Sequence, residues 1–490
     1  MPARPEGGGD DGGGTADDRG PAHDPGRANA PRAAGGGIAR GSLINLVTRV
    51  AAVGLGLAIT LYVARLGPAL QGAFALFTAV ESVLMALTSG FGVAIARRIS
   101  HHGERPAGLV AASLLACVLL GVVAAGALLL VSRPGLLAGL AQVHLPGAGV
   151  AVAGTAPQGG SYESLWLLAL AAPLLFITPN LGGLWLGSGR MGGLAGLTLA
   201  APSITLLIIG AAALAGRPAA LATALGGWVA ARIVVALGAL AAAGRGGWLG
   251  RPDGRALAGE ARFVLLIGAT NLVALLNYKV DIFLVERFLG LGPTGVYSIA
   301  VMAAELLWLV SSSVTTAAYA RIGAPDAAAA TRLTLRAMHA SVLLLLGLCP
   351  LVWAAAALLV PVLLGPAYAE VLPALALLLP GVALYGAASA LSAWFTNHAG
   401  RPLVPALLAL SSLVFTVLVS LLSIPTLGML GGALATSLSY VGTMALGGWL
   451  FVRASGCRAA DLLQPDRQAM AGDLARVGAW LRARWRGQRR

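Results

Sequence analysis

Twelve long apolar segments, joined mostly by short connections, fill this chain from about Leu43 to Val452. They fall at 43–65, 71–96, 109–131, 164–186, 193–215, 219–243, 263–286, 293–320, 336–360, 371–396, 403–424 and 428–452. A helix needs roughly 20 apolar residues to cross the hydrocarbon layer of a bilayer. Leu109–Val131 and Leu403–Ile424 reach that length without a single charged residue. The composition agrees, with 58% hydrophobic and only 11% charged residues and a mean hydropathy of +0.83, as expected of a chain whose solvent is mostly lipid. A soluble protein of 490 residues would divide into several domains with polar surfaces, and no stretch here could form one. The fold class expected is all-α integral membrane.

Arginine sets the expected orientation. With both termini placed in the cytoplasm, the five inner connections hold Arg97, Arg98, Arg105, Arg190, Arg245, Arg251, Arg255, Arg262, Arg321, Arg332 and Arg401, and the outer ones hold only Arg133, Arg217 and Arg287. That asymmetry is the positive-inside pattern, and it predicts a multi-pass protein of a bacterial inner membrane with N and C termini cytoplasmic. The net charge of +14 then serves anionic lipid and gives no reason to expect nucleic acid as a partner. Cys117, Cys349 and Cys457 make neither a disulfide framework nor a metal site, and no cofactor is expected.

Five regions follow. Residues 1–41 form a cytoplasmic tail rich in Gly, Pro, Asp and Ala, with 1–37 too polar to bury a core. An N-terminal lobe of helices 1–6 spans 42–243, a cytoplasmic inter-lobe loop 244–262, and a C-terminal lobe of helices 7–12 spans 263–453. In the basic tail 454–490, Leu474, Val477, Leu481 and Trp485 recur at helical spacing beside Arg476, Arg482, Arg484 and Arg486, which predicts an amphipathic helix on the inner leaflet. Pro202, Pro350, Pro380 and Pro405 are expected to interrupt their spans. Trp166, Trp185, Trp228, Trp353 and Trp449 are placed toward span ends, as an interfacial belt requires. The long outer connection near 132–163 offers a surface for a polymerase or ligase partner.

An internal repeat narrows the class. Leu66-Gly67 followed by Gly72-Ala-Phe74-Ala-Leu76 returns 223 residues later as Leu289-Gly290 followed by Gly295-Val-Tyr297-Ser-Ile299. A weaker echo joins Gly189-Arg190 to Gly400-Arg401. Six spans, an even number, separate the halves, so the repeat is parallel: two six-helix lobes related by a pseudo-two-fold axis along the membrane normal, the plan of a transporter whose lobes rock about a midplane site.

Two stretches carry a resemblance. Tyr62-Val-Ala-Arg65-Leu-Gly-Pro-Ala-Leu-Gln-Gly72, with the following span ending Gly90-Phe-Gly-Val-Ala-Ile-Ala-Arg97-Arg98, resembles the N-terminal signature of Wzx-type polysaccharide flippases. So does Asp281-Ile-Phe-Leu followed by Gly290 and Gly295-Val-Tyr297-Ser-Ile-Ala. These belong to the multidrug/oligosaccharidyl-lipid/polysaccharide exporter superfamily, and the resemblance covers roughly residues 40–455. It implies a non-enzyme that moves a polyprenyl-(pyro)phosphate-linked oligosaccharide from the inner to the outer leaflet by alternating access, in contact with membrane lipids and coupled to an ion.

Charges inside the spans are the candidates for that work, because charge at membrane depth is costly and is normally paired or faces a water-filled cavity. Glu81 and Glu305 occupy nearly matching positions of the two repeats, and Lys279 is the only lysine among 33 basic residues. Asn277 and Asp281, four apart, share a helix face that Lys279 does not. Arg49, Arg232, Lys279 and Asn277 are expected to hold an anionic, polar headgroup, since guanidinium groups fork onto phosphate. Glu81, Asp281 and Glu305 are expected to couple the lobes to a proton or cation gradient. A cation-coupled multidrug antiporter of the same superfamily is the alternative, although an aromatic content of 6% gives little sign of an aromatic pocket. A membrane-embedded glycan polymerase or ligase is disfavoured by the absence of a large outer loop rich in Arg or His.

Overall fold

The computed structural model describes residues 35–132, 164–311, 322 and 326–464, with the backbone alone at 35–43 and 102. Among these residues all regular structure is helical: α1 (Gly35–Ala64), α2 (Pro68–His102), α3 (Ala107–Val131), α4 (Leu165–Gly187), α5 (Met191–Leu214), α6 (Leu221–Arg245), α7 (Gly254–Leu289), α8 (Leu291–Ser311), α9 (Ala327–Leu364), α10 (Pro366–His398), α11 (Leu403–Leu427), α12 (Met429–Ser455) and the short α13 (Ala459–Leu463). Twelve of them are long and apolar enough to cross a membrane. The amphipathic segment around 474–486, the connection 133–163 and the residues before 35 lie outside the described residues. Residues 35–37, expected in the polar tail, already belong to α1.

The helices overrun their apolar stretches at the arginine-rich end. The inter-lobe loop expected over 244–262 is shorter, because α7 starts at Gly254. Asp253 caps it, accepting from the backbone N–H groups of Arg255 at 2.9 Å and Ala256 at 3.0 Å, and Asp326 does the same for α9 through Ala328 at 2.9 Å and Ala329 at 3.2 Å. A carboxylate at these positions satisfies orphan N–H groups and complements the helix dipole. Hydropathy cannot see such turns, since their side chains lie beyond the hydrocarbon. Pro202, Pro350 and Pro380 are inside helices. Pro405, expected to interrupt its span, instead lies in the first turn of α11, where the N–H it lacks has no intrahelical partner to lose.

The described residues from Ile44 onward form one unit, and its cores follow the repeat. One gathers Phe74, Phe77, Phe91, Leu165, Phe176 and Leu225 from α2, α4 and α6; another gathers Val285, Tyr297, Tyr368, Leu375, Leu379 and Tyr440 from α7, α8, α10 and α12. The surface is apolar where lipid would lie: Leu214 is 93% exposed, Leu422 76% and Val362 74%. A soluble protein does not present so much contiguous apolar surface.

Repeat-related residues meet where α2 packs on α7 and α8. Gly67 and Gly290 precede α2 and α8 with φ of 124° and 79°, the region that favours glycine. One turn later Gly72 and Gly295 face each other: a Cβ at Gly72 would collide with the Leu291 carbonyl, and one at Gly295 with the Pro68 carbonyl. Both repeat glycines therefore serve one close crossing of the halves. The weaker echo is structural too, with Gly189 and Gly400 at φ of 70° and 63°. Helix breaks at Phe176 in α4 and Gly386–Ala387 in α10 keep the same register between the halves.

Candidate functional site

A cavity of about 190 Å³ lies between the halves. Thr60 of α1, Gln71, Thr78 and Ser82 of α2, Lys279 of α7, and Ser298 and Glu305 of α8 line it. The helix spacing that puts Gln71, Thr78 and Ser82 on one face of α2 also turns Glu81 away from it, into its own half.

An acid–base pair stands in each half, buried at its acid in the first and partly exposed in the second. Glu81, 2% exposed, accepts from Arg232 Nε at 2.6 Å and Trp228 Nε1 at 2.7 Å, both on α6. The Arg232 guanidinium also lies 4.7 Å from the centre of the Trp228 ring. In the other half Lys279 Nζ donates to both Glu305 carboxylate oxygens, at 3.0 and 3.3 Å. The two glutamates correspond across the repeat, but their bases come from different helices, α6 in one case and α7 in the other. Arg232 and Lys279, read from sequence as headgroup binders, are thus engaged by Glu81 and Glu305, read as coupling acids. Arg49 stands apart: it is exposed and makes no hydrogen bond or ion pair among the described residues.

Asn277 and Asp281 share the inward face of α7 that their spacing predicts, and Lys279 faces the cavity between the halves. Asp281 is 3% exposed and accepts from Tyr297 Oη of α8 at 2.7 Å, Thr436 Oγ1 of α12 at 3.3 Å and the Ile282 N–H at 2.9 Å. Asn277 Nδ2 donates to Tyr385 Oη of α10 at 3.3 Å, while its side-chain carbonyl is buried without a partner among the described residues. A second cavity of about 10 Å³, lined by Asp281, Glu305, Thr436, Tyr278, Trp308 and Tyr440 among others, lies inside this half. That is about one water or one small cation in size. Glu305 borders both cavities.

The reading from aromatic content needs correction. Tyr385 and Tyr440 stack with centroids 4.3 Å apart, Tyr278 and Trp308 lie 4.7 Å apart, and Trp308 lies 6.3 Å from Tyr440. A low overall percentage hid an aromatic cluster drawn from α7, α8, α10 and α12. Trp228, expected in an interfacial belt, turns its N–H inward to Glu81. Nothing in the sequence pointed to Thr436 or Tyr385, which reach the site only through tertiary packing. Gln71 carried a signal, standing directly before Gly72 of the repeat.

Two seams join the halves. At the end away from the arginines, Tyr368 Oη donates to the Ala64 carbonyl at 2.8 Å, Arg65 Nε to the Leu363 carbonyl at 3.2 Å, and Gln71 Nε2 to Ser298 Oγ at 3.2 Å. At the arginine-rich end, Glu260 of α7 takes Arg97 Nη2 at 2.6 Å and Arg98 Nε at 2.8 Å from α2, and Asn271 Nδ2 donates to Ser89 Oγ at 2.8 Å. The stretch holding Glu260, expected as loop, is helical and pairs with the two arginines that end α2.

No protein-family model matches the sequence, and no curated protein matches it. Solved structures do. An inward-facing multidrug resistance MATE family transporter of the MOP superfamily superposes with a TM-score of 0.65 at 17% identity, covering 82% of this chain and 94% of that one. An outward-facing transporter of that family gives 0.60 at 16% identity over 86% and 95% of the two chains. A MOP superfamily transporter from Pyrococcus furiosus, whose reversed binding-pocket polarity suggests a different function for it, gives 0.57 at 16% identity over 86% and 95%. These neighbours are transporters, not enzymes, and at such identities what they share with this chain is architecture: the twelve-helix, two-lobed fold of the MATE transporters.

Proposed function

We propose that this chain is a cation-coupled antiporter that moves an amphipathic organic solute across a membrane by alternating access, with both termini in the cytoplasm as the arginine distribution suggests. One observation carries the reading: Glu305 borders both the cavity between the lobes and the ion-sized cavity that holds Asp281. A cation or proton held between Asp281 and Glu305 competes with Lys279 for the Glu305 carboxylate. Its arrival frees or redirects the lysine in the larger cavity, so solute and ion occupancy are linked through one side chain. The aromatic cluster beside it suits a hydrophobic or cationic solute.

A flippase for lipid-linked oligosaccharide is the second reading, favoured by the resemblance of Tyr62–Gly72 and Asp281–Ala300. Against it, Lys279 and Arg232 are each engaged by a carboxylate, which leaves neither free to neutralise a pyrophosphate. The test is export of ethidium from proteoliposomes under an imposed proton or sodium gradient, with Asp281→Asn and Glu305→Gln beside the parent chain. Gradient-driven export that both variants lose supports the antiporter. Export indifferent to either gradient sinks it. A deletion strain that lacks surface polymer and accumulates its complete lipid-linked unit would establish the flippase instead.

A further inference from the structure

Gln71 stands where both lobes and the cavity meet, and it has no role in the coupling just described. It lies in the first turn of α2, is 2% exposed, and lines the cavity together with Ser298. The direction of its amide follows from its neighbour. Ser298 Oγ donates its single hydrogen to the Gly295 carbonyl at 2.8 Å, so toward Gln71, 3.2 Å away, it can only accept. The amide nitrogen therefore faces Ser298 and the carbonyl Oε1 faces elsewhere, buried and without a partner among the described residues. A buried acceptor left in that state has given up water for no partner and is costly.

Two other cavity hydroxyls, both on α2, repeat the pattern. Thr78 Oγ1 donates to the Ala75 carbonyl at 3.0 Å and Ser82 Oγ to the Thr78 carbonyl at 2.7 Å. With their hydrogens directed into the helix backbone, these side chains turn only lone pairs toward the cavity. Apart from the second N–H of the Gln71 amide, its wall along α2 and α8 is thus mainly a set of acceptors, facing the donor Lys279 that Glu305 already engages.

We infer that Gln71 is a substrate-binding residue whose side-chain carbonyl reads a hydrogen-bond donor, an ammonium or hydroxyl head, on the transported solute. A carboxylate or doubly ionised phosphate head offers acceptors only and meets like partial charge there. This rests on the reading of the cavity as the transport site and narrows the class of solute it takes.

Four hexyl amphiphiles separate the possibilities at about pH 8.5, where the phosphate is doubly ionised and the amine still protonated: hexylamine and hexyl glucoside, which carry donors, against hexyltrimethylammonium and hexyl phosphate, which do not. Each is titrated into the full chain in lipid nanodiscs, with binding followed by saturation-transfer NMR on the ligand. The donor-bearing pair should bind about 3- to 10-fold more tightly than the other two, the size of one hydrogen bond. Gln71→Leu should erase that preference. Gln71→Glu, which keeps an oxygen acceptor in place, should retain it and sharpen it for the amine, so a loss in the leucine variant cannot be blamed on misfolding. Hexyl phosphate binding as tightly as hexylamine, a donor preference that survives Gln71→Leu, or no binding by any of the four would each overturn the inference. The antiporter reading fails separately: a chain with the donor preference but no gradient-driven export keeps Gln71 as a reader of donors and loses the coupling.

Discussion

At the scale of residues, the energetics turn on pairing. Glu81 is buried with Arg232 and Trp228 on its two oxygens, and removing one partner of a buried pair costs about 3–5 kcal/mol because it strands the other charge. Arg232→Ala should therefore destabilise the protein more than Glu81→Gln, because Arg232→Ala strands the buried carboxylate, whereas Glu81→Gln strands only the partly exposed guanidinium and keeps an acceptor for the Trp228 N–H. The double variant should be less than additive by about 1 kcal/mol or more. Thermal unfolding of the four purified proteins in one detergent gives the cycle, and additive losses would show that the pair contributes nothing of its own. The charged members of this site were legible in the sequence, because ionisable side chains are few inside apolar spans. Which base meets which acid was not: sequence separates Glu81 from Arg232 by 151 residues, and only the packing of α2 on α6 brings them together.

At the scale of elements, the crossing of α2 on α8 depends on two glycines. A side chain at Gly72 or Gly295 would drive into the backbone of the facing helix, and overpacking of this kind costs about 1–3 kcal/mol. Gly72→Ala and Gly295→Ala should each part this seam, lowering the melting temperature and raising thiol labelling of a cysteine placed at Ser298. Gly56→Ala, where an added methyl meets nothing within 4 Å, is the control and should leave both unchanged. Equal effects at all three positions would mean that helix propensity, not the crossing, sets the outcome. The repeat was visible in the sequence because close helix approach and a positive φ both select glycine. The extra turns of α2, α7 and α9 were hidden, since arginines and glutamates at the membrane surface look like loop to a hydropathy reading. Glu260 was missed for the same reason, although it holds Arg97 and Arg98 across the halves.

At the scale of the whole molecule, the two seams make alternating access testable. α2 runs through both, bonded to α8 at one end through Gln71 and Ser298 and to α7 at the other through Ser89 and Asn271. If the lobes rock as rigid bodies, each seam must open in its turn, because a solute leaves on the side opposite its entry. Cysteine pairs at Gln71 and Ser298, and separately at Ser89 and Asn271, can be joined by a short reducible thiol cross-linker, with each single cysteine as its control. Both cross-links should stop export from proteoliposomes, and reduction should restore it to the level of the unlinked pair. Arrest by only one cross-link would give a different machine: the tolerated seam would stay shut through the cycle and act as a hinge, with opening confined to the other side of the interface. Arg97 and Arg98 on Glu260 give the arginine-rich seam direct ion pairs, so if that seam is the one that stays shut, this charged contact is where the pivot would lie.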